Sequence, residues 1–276
     1  MWKASRLTDK SQILAYLETE RIYAAYAIGD LEPRLFAQCA WFGAEKDSRL
    51  QALALHFGGL SIPVIFLMGN ADGLRAIIEN AVPLEQVYFT CRQEHLPMTR
   101  DFYDWEPIPM WRMLLRPDRF RPVAADCVPL TCDHSGQLAA LYAHYEENAF
   151  SPAQIADGTF YGIFADGQLV AAGGTHLLSP TYGVAAVGNV FTHPHYRGRG
   201  YGTAITSAVV AELRHRGTRD IVLNVSQDNA TAIHIYERLG FEHYCSFLEG
   251  PANQPTNQQQ QGVTQCQQTT TSKTST

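Results

Sequence analysis

Within six residues, Arg197-Gly198-Arg199-Gly200-Tyr201-Gly202, two guanidinium groups sit among three glycines, with Thr203 next. Glycine has no Cβ to hold a ligand away from the main chain, so such a turn lets backbone N–H groups approach an anion. If a helix begins there, its first amides lack internal partners and carry the positive end of the helix dipole. Amides, dipole and two arginines together suit a phosphate. The spacing excludes two common phosphate ligands. No Lys-Ser or Lys-Thr pair ends the loop, as a nucleoside-triphosphate loop requires. The GxGxxG pattern with a later ribose-binding acid is absent too, which disfavours a dinucleotide.

The flanking residues supply the elements that such a loop needs. Upstream, Val187, Val190, Phe191 and Thr192 have strand composition, and His193-Pro194 ends the run because proline gives no N–H to a ladder. Downstream, Ile205, Val209 and Leu213 recur at helical spacing, closed by Arg214-His215-Arg216-Gly217 with cations in the last turn and a glycine cap. Before this unit, Leu138, Leu141, Tyr142 and Tyr145 mark an amphipathic helix, and Ser151-Pro152 opens a short one. Residues 160–164 and 169–176 read as strands joined at Asp166-Gly167, residues 221–225 as a strand, 229–239 as a helix and 241–247 as a last strand. The first 120 residues show a similar mixture. Helices are expected at 12–17, 21–31, 71–80 and 94–103, and strands at 37–44, 50–57, 63–68, 86–91 and 109–115. Residues 116–122, with two prolines and four charges, predict a stiff connector.

Composition bounds the function. A chain of 276 residues has room for two α/β domains, here residues 1–120 and 121–250, and 46% of its residues are hydrophobic. From Pro251 the Gln/Thr/Ser-rich sequence cannot bury a core, so 251–276 are expected to be a disordered tail. A formal net charge of −6 argues against a nucleic-acid surface and suits a cationic amine acceptor. The six cysteines form no CxxC pair and no metal spacing with histidine, which predicts reduced thiols and no metal. With no membrane-length apolar run and no signal-peptide core, a cytoplasmic protein with no membrane partner is expected.

Arg197-x-x-Gly200-x-Gly202 resembles the Q/R-x-x-G-x-G/A pyrophosphate loop of the GNAT N-acetyltransferase superfamily. Residues 223–241 resemble that family's second block through Asn229, Ala232, Tyr236 and Gly240-Phe241. The resemblance spans about residues 127–249. It implies the GNAT acyl-CoA fold, an α/β mixed sheet, with acetyl-CoA as co-substrate. Element order suggests that residues 1–120 are a second GNAT-like half. There Gly69-Asn70-Ala71-Asp72-Gly73 stands in the loop's place, with an aspartate that opposes an anion.

The same resemblance assigns roles. Arg197, Gly198, Arg199, Gly200, Tyr201, Gly202 and Thr203 would hold the pyrophosphate. The backbone of Val190, Phe191 and Thr192, where two strands splay, would meet pantetheine and the developing oxyanion, and Asn229 would add a further contact. Tyr236 would be the general acid for the leaving thiolate, a phenol of ordinary pKa about 10. Asn229 also suits a helix N-cap, and Tyr236 also suits a core stripe. The activity implied is direct acetyl transfer in a ternary complex to a primary amine, on a small molecule or a peptide. The alternative is a non-catalytic acyl-CoA-binding sensor or scaffold. The base stays open: Asn224 stands where some relatives carry glutamate, leaving Glu146, Glu147, His176, His193 or an ordered water. Gly173-Gly174 suits either a bulge or room for a longer acyl chain. The family's closing hairpin shows only one strand here, and the first half is expected to supply the missing one.

Overall fold

In the computed structural model, which describes residues 1–81, 84–144, 150 and 153–255, twelve strands form one continuous sheet. The first half runs β1 (Lys3–Leu7), α1 (Lys10–Leu17), α2 (Ala25–Gly29), α3 (Pro33–Phe36), β2 (Cys39–Lys46), β3 (Arg49–Phe57), β4 (Val64–Gly69), α4 (Ala71–Ala81), β5 (Gln86–Cys91), α5 (Leu96–Arg100) and β6 (Ile108–Leu115). The second runs β7 (Val128–Pro129), α6 (Ser135–Tyr142), α7 (Ala153–Asp157), β8 (Phe160–Ala165), β9 (Gln168–Ser179), β10 (Val184–Thr192), α8 (Tyr201–His215), β11 (Asp220–Ser226), α9 (Ala230–Leu239) and β12 (Phe241–Asn253). Each half has antiparallel strands leading to one parallel pair, β4 with β5 and β10 with β11.

The halves exchange their last strands. The sheet order is β1-β2-β3-β4-β5-β12-β6-β11-β10-β9-β8-β7. β6 pairs with β11 (Leu223 opposite Met113) and β12 pairs with β5 (Leu248 opposite Cys91), while β6 and β12 pair with each other. The strand absent from the second half's own sequence is thus β6, given by the first.

β12 runs past Phe247 to Asn253, which corrects the expected start of the tail. Pro251 is tolerated because β6 pairing ends at Glu249 opposite Ile108 and the second side is taken up again only at Asn253, by a bridge to Asp104, so at Pro251 itself β12 pairs with β5 alone. Ala252 is fully buried there. Residues 256–276 lie outside the described residues.

One face of the sheet is covered by α1 and α2, whose Ile13, Leu17, Ala27 and Ile28 share a core with Leu53 and Phe66 and also with Leu177, Ala186 and Val222 of the second half. Gly29 permits this approach: a Cβ there would run into Leu177. The opposite face carries α8, whose Ile205, Val209, Val210 and Leu213 pack on Ala185, Val187 and Leu223. Each such side chain contributes roughly 1.5–3 kcal/mol on burial. α8 ends as expected: Gly217 has φ +76°, and Thr218 N–H reaches back to Leu213 O at 3.0 Å. Among the described residues no helix is long and apolar enough to cross a membrane.

Candidate functional site

β10 and β11 pair from Val184 opposite Asp220 to Val187 opposite Leu223, and then part. Beyond that point β11 stays with β6, Asn224 lying opposite Arg112 and Ser226 opposite Met110. β10 stays with β9, through two compensating irregularities. His176 is the extra residue on β9, and Asn189-Val190 face the single Gly173. Asn189 takes φ +54°, which asparagine accepts more readily than most residues. Tyr142 Oη donates to Asn189 O (2.6 Å) and Asn189 Nδ2 donates to Gln154 Oε1 (3.1 Å). A Cβ on Gly173 would lie 2.8 Å from Ile205 Cγ2, and one on Gly174 would run into Phe160. The glycine pair therefore serves the bulge, and no room for a longer acyl chain opens there.

The register also sorts the three backbone positions expected at the gap. His193 N–H donates to Val170 O (2.9 Å), so in this antiparallel ladder Phe191, opposite Ala172, directs its polar groups to β9 as well. Phe191 is therefore corrected: its backbone belongs to the sheet, and its buried ring packs with Leu138 and Tyr142 under α6. Thr192 faces the other way, its O accepting from Arg197 Nε at 3.3 Å. Val190 lies in the bulge, where its side chain meets α8 near Gly202.

At the loop, Gly198 and Gly200 have φ +76° and +79°, and nothing lies within 4 Å of a Cβ at either. Backbone conformation alone demands glycine there. The first helical bond of α8 is Ala204 N–H to Gly200 O (3.0 Å), so the amides of Tyr201, Gly202 and Thr203 precede it. Arg197 lies over the Phe191 ring (5.9 Å) and Arg199 over Tyr196 (5.0 Å), both exposed. Neither has a carboxylate partner among the described residues. A cavity of about 490 Å³ reaches the loop at Thr203 and is walled by Arg119 and Arg121 of the connector and by Glu237 and Arg238 of α9. Amides and cations meet at the exposed start of α8, as a diphosphate ligand requires.

On α9, Asn229 is the N-cap, accepting from Ala232 N–H at 3.0 Å. Tyr236 is half-buried, its ring 6.1 Å from Phe241. Across the parting, α2 presents Tyr26, whose Oη lies 3.4 Å from His176 Nδ1. Burial pushes the Tyr26 hydroxyl well up; Arg112 opposes this, while Glu249 and Tyr236 add to it. Arg112 is buried, donating to Tyr23 O (2.8 Å) and lying 4.8 Å over the Tyr26 ring. Two buried polar atoms here, Arg112 Nε and Asn224 Oδ1, have no hydrogen-bond partner among the described residues.

Of the expected bases, Glu146 and Glu147 lie outside the described residues. His193 sits near the loop in a histidine cluster, 4.8 Å from His144 and 5.3 Å from His195; partial burial and then these neighbours and Arg197 push it down. His176 is held beside the parting, where burial pushes it down and the hydrogen bond it can donate to Asn189 Oδ1 opposes this. Tyr26, Arg112 and Asn189 were missed by sequence reasoning. The one local signal was Gly188, where a Cβ would run into the His176 ring.

The first half fills the corresponding places with its own side chains. β4 and β5 part after Phe66 opposite Thr90, but Tyr23 Oη donates to Leu67 O (2.8 Å) and His95 Nε2 to Gly69 O (2.8 Å). Asn70 Oδ1 takes the first-turn amides of Asp72 (2.9 Å) and Gly73 (3.3 Å) at the start of α4.

Residues 130–241 match the acetyltransferase (GNAT) family model. A mycothiol acetyltransferase of Saccharomonospora viridis is 40% identical over 93 residues, 32% of this chain and 30% of the relative, so the match spans less than a third of that relative's length. Among solved structures, a GCN5-related N-acetyltransferase from Sphaerobacter thermophilus superposes with a TM-score of 0.64 at 16% identity, covering 92% of this chain and 96% of that one. A tandem GNAT protein from the clavulanic acid biosynthesis pathway gives 0.59 at 14% identity, covering 93% and 100%. At these identities the structural likeness carries the fold, which is that of GNAT in tandem.

Proposed function

We propose that the protein, whose residues 130–241 match the acetyltransferase (GNAT) family model, is an N-acetyltransferase that moves the acetyl group of acetyl-CoA directly to a primary amine. The observation that carries this reading is the parting of β10 and β11 beside a helix start whose amides are uncommitted. The residues there fit the co-substrate. The amides of Tyr201, Gly202 and Thr203, with Arg197 and Arg199, bind the pyrophosphate, and the glycines keep Cβ atoms out of its way. The exposed edge of β10 at Val190 and Thr192 receives the pantetheine arm, and Asn229 lies at the start of the helix beyond. When bound, acetyl-CoA supplies an activated acyl group, and the chain's own residues supply the rest.

Edge N–H groups of β10 stabilise the charge that develops on the carbonyl oxygen. Tyr236 donates a proton to the departing thiolate, and the parting holds both reactants in line. The first half, its own gap filled by Tyr23 and His95, keeps a supporting role: α2 closes the acceptor side and β6 completes the second half's sheet.

A specific observation favours a second reading, a non-catalytic acyl-CoA-binding module. At the end of β11 stands Asn224, a residue unable to take a proton. One experiment separates the two: thiol release from acetyl-CoA against amines, polyamines, amino acids and peptides, with Tyr236→Phe alongside. Turnover with one acceptor class, lost in the variant while CoA still binds, supports the enzyme. CoA binding without turnover supports the module, and absence of CoA binding overturns both.

A further inference from the structure

We infer that the first half supplies a catalytic residue: the Tyr26 hydroxyl of α2 takes the proton from the acceptor ammonium and passes its own to His176 Nδ1. This rests on the N-acetyltransferase reading above. Three features of the backbone exist to bring these two groups together. Gly29 lets α2 lie directly on Leu177 of β9, and Gly188 leaves space for the His176 ring where any Cβ would collide. His176 and Asn189 are the extra residues of two compensating irregularities in neighbouring strands, and they bind each other. Asn189 adopts its left-handed conformation at that point and is pinned by Tyr142.

The hydrogen bonds accommodate both tautomers of His176, and the relay uses the one with its proton on Nε2. His176 Nε2 lies 3.0 Å from Asn189 Oδ1; with Nε2–H donating there, Nδ1 is bare and faces Tyr26 Oη at 3.4 Å. After a proton arrives, both ring nitrogens donate, one to Asn189 Oδ1 and one to Tyr26 Oη. The Asn189 main-chain N–H, 3.2 Å from Nε2, serves the opposite tautomer and lets the ring reset. Tyr236, the acid, stands on α9, which packs on the other face of the sheet from α2. Base and acid thus flank the place where β10 and β11 separate.

The protons balance. An N–H bond of the acceptor ammonium breaks, Tyr26 gains that proton, and its original proton forms the N–H of the His176 imidazolium. The freed lone pair makes the new C–N bond. The C–S bond breaks with its electrons on sulfur, and sulfur takes the proton of Tyr236. The second proton lost by nitrogen restores Tyr236, and His176 releases its proton to solvent. The charged and titratable groups around the pair are Asp30 on the helix of Tyr26, Arg112 on β6, Glu249 on β12 and Tyr236 on α9. Arg112 over the Tyr26 ring favours a transient phenolate.

The test is the pH profile of kcat/KM for the intact chain, Tyr26→Phe and His176→Gln, using acetyl-CoA and the panel amine that turns over fastest. CoA affinity by calorimetry serves as the folding control. The wild type should be flat through neutral pH and fall only below the ordinary histidine range, because burial keeps His176 neutral. Each variant should lose about 10²-fold at pH 7 and rise about tenfold per pH unit as the amine deprotonates unaided, approaching wild type in alkali. Parallel profiles, displaced equally at every pH or not at all, overturn the relay and leave the enzyme reading standing. If His176→Gln does not fold, the near-isosteric Tyr26→Phe decides alone. A wild type that binds CoA and acetylates no amine removes the enzyme reading and the relay with it.

Discussion

Replacing Gly202 with alanine should stabilise the protein, whereas the same change at Gly200, two residues earlier, should destabilise it and weaken its hold on a phosphorylated ligand. Gly202 is the second residue of α8, and a Cβ there would meet only Ile235 Cδ1 and Val190 Cγ1, each at an ordinary 3.9 Å. Glycine is less favourable than alanine in a helix interior by roughly 0.8–1 kcal/mol, and about half of that applies in a first turn. The melting temperature should therefore rise by about 1–2 °C for a chain of this size. Gly200 makes the contrast. Nothing lies within 4 Å of a Cβ there, but its φ of +79° makes alanine cost about 1–2 kcal/mol, a fall of a few degrees. The new methyl of Gly202→Ala faces Ile235 and Val190, and the loop pattern that this stretch resembles admits alanine at that position, so CoA affinity should stay within a few-fold of wild type. In Gly200→Ala the strained turn shifts the amides that follow it, and loss of one charge-assisted hydrogen bond, about 1.5–3 kcal/mol, weakens CoA binding by roughly 10- to 100-fold. Thermal melts of the free protein and calorimetric titration with CoA read the two effects separately. Wild-type CoA affinity in Gly200→Ala would refute the backbone cradle, and a lower melting temperature in Gly202→Ala would refute the helix-start argument.

Gly188→Ala should destabilise by about 1–3 kcal/mol, because its Cβ collides with the His176 ring in a packed site; unchanged urea melts would show that the ring moves freely aside. Asp30→Asn should raise stability in mild alkali. Burial pushes the Asp30 carboxyl up to about 7, so the folded chain holds that proton more tightly than the unfolded one. The resulting stability is present below about pH 4 and is lost as pH rises through 7. The variant should gain of order 2 kcal/mol near pH 8, allowing for the water that reaches this half-buried side chain, and nothing near pH 4. Equal gains at both pH values would contradict this cause. Separated chains of residues 1–120 and 121–276 should each fail to fold alone, since each gives the other its final strand. A cooperative melt from either piece would count against the exchange as a requirement.

Local chemistry was legible in the chain. The Arg/Gly loop, the strand before it, α8 after it and the Asn229–Tyr236 helix all lie where their spacing places them, because caps, turn glycines and helical periodicity act over a few residues. Strand limits slipped where composition misleads. β1 was missed as a short edge strand with mostly outward-facing side chains, and the end of β12 was hidden in a polar stretch that buries only Ala252.

What the tertiary structure decided is everything that joins the halves. Alternating strand residues such as those of β6 read the same whichever strand pairs with them, so only packing of the whole sheet selects β11 and β12 as its neighbours. Phe191 could be told from Thr192 only by the register against β9, since one step along a strand reverses the side to which its polar groups point. Tyr26 lies 150 residues from His176 in the chain and 3.4 Å from it in space. Such a meeting has no periodic signature. It follows from the fit of α2 against β9 and β10, where two glycines leave room for a leucine and a histidine.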